Sequence, residues 1–368
     1  MTESSPIDTK ADWWRQPARP LDHACEQRAR ERQSQLTKPP GSLGRLEEVA
    51  IHLAALQHND RPRLDKVQIS IFAGDHGVVA EGVSAFPQIV TVEMQRNFVN
   101  GGAAISVLAR QLGATLEVIN AGTFAVPAEL SKVIHEPVAQ QTHNFCEVEA
   151  MSDAQWQQAL AIGYRAVQRA QQRQAQLFIG GEMGIGNTTS ATALLCALTG
   201  LSPQDITGAG TGLDSSGIEH KISVIEKALT RHQALLQEPA AVSRALGGFE
   251  IAALTGAYIA AAQVGIAVLV DGFICSAAAL CALKLNPSIR NALFFSHCSA
   301  EQGHRKVMAH LYAAPLVDLN LRLGEGSGAA VVVPLLRAAC ALHNEMATFA
   351  EAAVSGKSAP ASSTPGDP

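Results

Sequence analysis

Leu177-Phe178-Ile179-Gly180-Gly181-Glu182-Met183-Gly184-Ile185-Gly186-Asn187-Thr188-Thr189 is the stretch that decides the fold. Leu177–Ile179 is a short apolar run ended by glycine, which reads as a buried strand. A helix rich in small residues, Ser190–Leu198, follows and stops near Gly200. Strand, glycine turn and helix in succession form the unit from which parallel sheets are built. The turn also carries chemistry. From Gly181 it fits G-x-x-x-x-G-x-T, with Asn187 where a triphosphatase loop has lysine. Glycines let backbone N–H groups approach an anion, and the helix start adds partial positive charge. The missing lysine argues against triphosphate chemistry, whereas one phosphomonoester fits. A packing cluster of glycines is the plainer alternative.

The same rhythm extends outward. Short apolar runs at Val67–Ala73, Leu116–Asn120, Ile266–Val270 and Leu293–Ser296 alternate with small-residue helices. Continuous apolar strands belong to a sheet covered on both faces, hence a mostly parallel one. The expected class is α/β, doubly wound, over residues 63–352. Ahead of it, Leu21–Leu36 and Leu43–Gln57 read as helices. The prolines of Thr37-Lys38-Pro39-Pro40-Gly41-Ser42 break the chain between them. Residues 21–62 are therefore expected as a small helical subdomain, with part of the C-terminal helix as a candidate addition. Residues 1–20 are expected as a loose arm. Residues 353–368, rich in Ser, Pro and Ala, read as a disordered tail.

Composition narrows the function. The chain has 368 residues, 28 Lys and Arg against 33 Asp and Glu, and 47% apolar residues. That interior excludes wholesale disorder. A net charge of −5 argues against nucleic acid as a partner. Seven cysteines, an odd number without CxxC, fit free thiols in the reducing cytoplasm. Met1 to Lys10 lacks the apolar core of a secretion signal. Ile251–Val270 is uncharged and long enough to span a bilayer, but it is rich in Ala and Gly. Gly265 divides it into a helical part, Ile251–Gln263, and a strand-like part, so no membrane span is expected.

Ligands of open parallel sheets sit beyond the carboxyl ends of the strands. Here those ends read Ala73-Gly74-Asp75-His76-Gly77, Asn120-Ala121-Gly122, Gly180 to Thr189, Asp271-Gly272 and Ser296 to His304. Gly208-Ala209-Gly210-Thr211-Gly212 is a second glycine run, equally readable as a flexible loop, and Lys221 beyond it reads as a surface lysine. Glu325 stands among Gly324, Gly326 and Gly328. Closed over by apolar groups it would be a raised-pKa base; otherwise it is an acid favoured near a helix start. Ser296-His297-Cys298-Ser299-Ala300-Glu301-Gln302-Gly303-His304 offers metal-ligand types without a zinc spacing. Ser299 and Gln302 have the spacing of a capping box, which predicts a helix start there. Asp75 and His76 are either an acid–base pair or turn formers.

Five blocks together resemble the nicotinate-nucleotide–dimethylbenzimidazole phosphoribosyltransferase family. They are Thr37-Lys38-Pro39-Pro40-Gly41-Ser42-Leu43-Gly44, Gly74-Asp75-His76-Gly77-Val78, Gly181 to Thr189, Gly208-Ala209-Gly210-Thr211-Gly212-Leu213-Asp214 and Arg322-Leu323-Gly324-Glu325-Gly326, in the family's order. The resemblance implies a three-layer Rossmann-like core, a small helical domain and a homodimer. It also implies transfer of phosphoribose from nicotinate mononucleotide to a benzimidazole nitrogen, without cofactor or metal. By motif, Glu325 would be the general base. Gly184, Ile185, Gly186, Asn187, Thr188 and Thr189 would hold the phosphate. Glu182, Lys221, Asp271 and Ser299 would contact the nucleotide, with Gly212 and Gly324 as further substrate contacts. Gln88 would line the base pocket with Met183 and Leu323. Enzymes that use phosphoribosyl pyrophosphate commonly place an adjacent acidic pair after a strand to hold Mg²⁺, and here that strand end is Asp271-Gly272. Two other classes compete: a mononucleotide-binding regulator without chemistry, and a hydrolase built on Asp75 and His76.

Overall fold

The computed structural model describes residues 12–125, 130–210 and 212–354. They fall into two compact units. One comprises the chain up to Pro20 together with Leu64–Pro334; the other comprises Leu21–Arg63 and the chain from Leu335 on. The expected tail lies, from residue 355, outside the described residues, as do residues 1–11 of the expected arm.

The larger unit is built on a six-stranded sheet in which every pairing is parallel. Its strands are β1 (Val67–Gly74), β2 (Thr115–Gly122), β3 (Val133–His135), β4 (Leu177–Met183), β5 (Ala267–Val270) and β6 (Leu293–Phe295). The order β3-β2-β1-β4-β5-β6 places the chain reversal between β1 and β4. In open parallel sheets ligands bind beyond the carboxyl ends of the strands near such a reversal. All eight residues of β1 are buried, which explains its mostly apolar run; its two polar residues, Gln68 and Ser70, are met by Arg173 and Glu117. The five expected strands are present. β3 is an addition: Val133 and Ile134 are only two apolar residues between Lys132 and His135, too few to leave a pattern. β4 runs past Ile179 through both glycines to Met183, because β1 supplies partners as far as Ala73.

Small residues set how closely the layers approach. Helix Phe249–Val264 is buried from Phe249 through Ala262 and crosses helix Asp153–Gln172. A Cβ on Gly163 would stand 1.9 Å from the Ala253 carbonyl oxygen, and one on Gly256 would stand 2.2 Å from that of Leu160. The two backbones therefore touch directly, and any side chain at either glycine would push the helices apart. This helix ends at Gly265 and hands over to β5, and no helix among the described residues is long and apolar enough to cross a membrane.

Two expectations need correction. Residues 12–20 are not a loose arm. Trp13 and Trp14 are buried, Trp14 lies edge-on to Trp156 at 5.7 Å, and Asn286 Nδ2 donates to the Trp14 carbonyl at 2.9 Å. Burying two indoles outweighs the ordering of a short segment. Ser299 and Gln302 do not form a capping box either. The helix starts later, at His304 with Gly303 before it, and Ser299 Oγ accepts instead from the Glu301 N–H at 3.2 Å.

In the smaller unit, helices His23–Gln35 and Arg45–Gln57 flank the proline break. Asp22 caps the first by accepting from the Ala24 and Cys25 N–H groups. Buried Lys38 and half-buried Glu47 pair at 2.8 Å across the break.

Candidate active site

A cavity of about 360 Å³ opens at the carboxyl ends of β4, β5 and β6. Beyond β4, the chain turns at Gly186, whose φ of 96° suits glycine, into helix Asn187–Thr199. Gly184 could not carry a side chain, since its Cβ would stand 2.1 Å from the Gly74 carbonyl oxygen. Ile185 N–H donates to Thr91 Oγ1 at 3.2 Å, and the Asn187 and Thr189 N–H groups close turns onto Gly184 and Gly186. The N–H groups of Gly186 and Thr188 are not spent on such turns. Lys221 reaches this loop from helix Ser215–Arg231 and donates to Thr188 Oγ1 at 2.7 Å. It is buried, not a surface lysine, and burial pushes its ammonium down to about 8 against the attraction of Glu301.

Three acids face the same space. Glu182 is buried at the end of β4, and burial, aided by the neighbouring Glu250 and Asp271 charges, raises its carboxyl to about 8. Asn187 Nδ2 donates to its Oε2. Asp271, after β5, accepts from the Ala329 N–H at 2.7 Å and the Gly326 N–H at 3.2 Å. Burial raises it, and His297 and those amides hold it back. Glu325 lies between Gly324 and Gly326 in a run of three left-handed residues, with its own φ at 63°. This strained turn aims the carboxyl inward, just before helix Ser327–Glu345 begins. Glu325 is 7% exposed, and its Oε2 is buried without a hydrogen-bond partner. Burial raises its carboxyl to about 7, with the Ile105 N–H opposing. An unpartnered oxygen on a carboxyl that titrates near neutrality is what a general base requires.

Of the residues singled out in the sequence, the cavity brings together Glu182, Met183, Gly184, Ile185, Asn187 and Thr188 from the glycine loop. It adds Asp271, Ser299, Leu323, Gly324 and Glu325 from three other strand ends and loops. Gly186 and Thr189 lie behind the loop, and Lys221 acts through Thr188. Gly210, not Gly212, lines the wall. Gln88 donates to the His76 carbonyl at 3.1 Å and to Gln141 Oε1 at 2.8 Å, away from the lining. Phe86, Glu301 and Arg322 line the cavity although the sequence did not mark them as site residues. Arg322 opens the run Arg322–Gly326, where only its charge could have signalled it. Asp75 and His76 are fully buried and committed elsewhere. Asp75 accepts from Thr91 Oγ1 at 2.6 Å, and His76 Nε2 meets Glu250 Oε1 at 2.6 Å. Neither reaches the cavity, which removes the support for a hydrolase built on them. Among the described residues no cluster of three or more His, Cys, Asp or Glu is placed to hold a metal ion.

The comparisons with known proteins agree. A family model described as phosphoribosyltransferase matches residues 18–354. A nicotinate-nucleotide–dimethylbenzimidazole phosphoribosyltransferase of Pseudomonas aeruginosa is 61% identical over 348 residues, covering 94% of this chain and 99% of the relative. The protein of that name from Pseudomonas putida is 58% identical over 347 residues, with 94% and 99% covered. A crystal structure of the protein of that name from Thermus thermophilus superposes with a TM-score of 0.86 at 41% identity, covering 92% of this chain and 100% of that one. A matching domain along nearly the whole chain, close relatives and a shared fold lead to one conclusion: the chain belongs to the nicotinate-nucleotide–dimethylbenzimidazole phosphoribosyltransferase family.

Proposed function

We propose that the cavity transfers phosphoribose from nicotinate mononucleotide to 5,6-dimethylbenzimidazole or a related base, giving α-ribazole 5'-phosphate for the cobamide lower ligand, and nicotinate. The observation that carries the reading is the unpartnered Glu325 Oε2, buried on the same cavity as the glycine loop. The phosphoryl group sits at Gly184 to Thr188, against the helix start and the Lys221–Thr188 pair. The pyridinium of nicotinate mononucleotide already carries a positive charge, so its C–N bond breaks without an acid catalyst. The benzimidazole attacks the ribose from the opposite face, which turns the β linkage into α. Its N–H proton goes to Glu325, a step of the kind that contributes about 10²–10⁴-fold. Holding both partners in line supplies much of the remainder. The nucleotide's other polar contacts are Glu182, Asp271 and Ser299, and the base lies toward Met183 and Leu323.

The same reading takes the protein as a cytoplasmic homodimer that needs no metal. The test mixes purified protein, nicotinate mononucleotide and dimethylbenzimidazole without added metal, and follows the products by chromatography. Nicotinate and an α-nucleotide in equal amounts support the proposal. Release of inorganic phosphate, or saturable binding with no nicotinate formed, contradicts it.

A further inference from the structure

The segment after β6 enters the cavity through Ser299 and Glu301, and helix His304–His310 follows it. His304 is fully buried and does not line the cavity. Its two ring nitrogens nevertheless join two of the cavity's walls. On one side, the Ser299 backbone N–H donates to His304 Nδ1 at 2.7 Å. On the other, His304 Nε2 lies 3.0 Å from Ser276 Oγ. Ser276 is in the first turn of helix Phe273–Leu285, and its Oγ lies 2.8 Å from the Gly272 carbonyl oxygen. Gly272 and Phe273 belong to the neighbouring wall, after β5.

Every proton in this relay has one place. A backbone N–H only donates, so Nδ1 must present a lone pair. Burial holds the ring far below its usual range, at about 3, so it is neutral and its single proton is on Nε2. Ser276 Oγ therefore accepts from Nε2–H and gives its own proton to the Gly272 carbonyl. The run Ser299 N–H to His304 to Ser276 to Gly272 has a single direction and no slack. Its neighbours do not compete for the ring: Phe273 stands edge-on at 6.2 Å, and His297 is turned to Ser296 Oγ at 3.0 Å.

We infer that His304 is a positioning residue of the transfer reaction, a neutral one-tautomer strut that fixes Ser299 and Glu301 at the height the nucleotide needs. This rests on the reading of Ser299 as a nucleotide contact. Loss of the Nδ1 acceptor frees the Ser299 segment and weakens nucleotide binding before it affects the proton transfer at Glu325.

Two replacements separate strut from filler. In His304→Asn the amide oxygen stands near the Nδ1 position and still accepts from the Ser299 N–H. In His304→Gln the longer side chain fills more of the ring's volume but places its amide toward Ser276. The expected result is a KM for nicotinate mononucleotide within about threefold of wild type for Asn, and raised about tenfold for Gln and for His304→Ala, the scale of one lost buried hydrogen bond. kcat moves less than KM in all three. A Gln variant that binds as well as the Asn variant, or variants that lower thermal stability with KM unmoved, overturns the inference. A second readout does not depend on turnover. The ¹⁵N shifts of the His304 ring in the wild-type protein should show a proton on Nε2 alone between about pH 5 and 9. A proton on Nδ1 overturns the strut even if the enzyme is active. A wild-type protein with the expected shifts that forms no nicotinate refutes the proposed reaction instead.

Discussion

The two ends of the sheet treat buried carboxylates in opposite ways. Near the amino ends, Glu117 of β2 is met by Arg169 at 3.0 and 3.1 Å, by Arg173 at 3.3 Å and by Ser70 Oγ at 2.8 Å. At the carboxyl ends, Glu182, Asp271 and Glu325 share a cavity, and among the described residues none of them has a lysine or arginine partner within 4.0 Å. Both regions are buried. The difference is that the first spends cations on neutralising its charge, while the second leaves its acids without cations, so burial raises their pKa, helped at Glu182 and Glu325 by the neighbouring Asp271 charge. A fold that only needed stability would pair the second set too. Leaving them unpaired costs stability and keeps a proton acceptor ready, which is the usual exchange at an active site.

The largest effect should come from removing the acceptor. Glu325→Gln is expected to lower kcat by about 10²–10⁴-fold while nicotinate mononucleotide still binds, read by steady-state kinetics and by titration calorimetry. Full activity would remove Glu325 from the mechanism. Next is the cationic wall behind the glycine loop. Lys221→Met leaves Thr188 without its charged donor and should raise the KM for the mononucleotide by about tenfold or more, with a smaller change in the KM for the base.

Stability should separate the two ends in sign. Glu325 and Glu182 bind protons more tightly folded, at about 7 and about 8, than the ordinary 4.5. The stability this provides is full below the unfolded carboxyl range and is lost as pH rises through 7 and 8. Glu325→Gln should therefore melt later than wild type at alkaline pH, by the equivalent of about 1–3 kcal/mol, with the gain fading toward pH 4.5. At the other end, Arg169→Ala should destabilise by about 1–2 kcal/mol, discounted because both arginines are part exposed, and should leave kcat unchanged. Denaturant titration at two pH values reads both, and equal signs would dissolve the contrast.

Sequence reading reached the layers of this molecule further than its edges. The other five strands and the glycine loop were legible because each is a largely apolar run ended by small or polar residues. β3 was not, since its two apolar residues, Val133 and Ile134, are set between Lys132 and His135. The burial of Trp13 and Trp14 depends on Trp156 and Asn286, over a hundred residues away, so the segment looked unattached. Within the site, Glu182, Glu325 and the glycine loop stood out through their glycine neighbours and their resemblance to a family. Glu301, Arg322 and Phe86 join the cavity only when separate strand ends meet. The burial of Lys221 likewise comes from tertiary packing of its helix, so the sequence left it on the surface. The spacing of Ser299 and Gln302 suggested a cap, but His304 takes the Ser299 N–H and the helix starts later.

The most direct test of the central claim is a structure of the protein with dimethylbenzimidazole bound beside the mononucleotide. Proton transfer to Glu325 requires one of its carboxylate oxygens within about 2.6–3.2 Å of the ring nitrogen that carries the proton. A bound base whose N–H points to another acceptor, or to solvent, would contradict it.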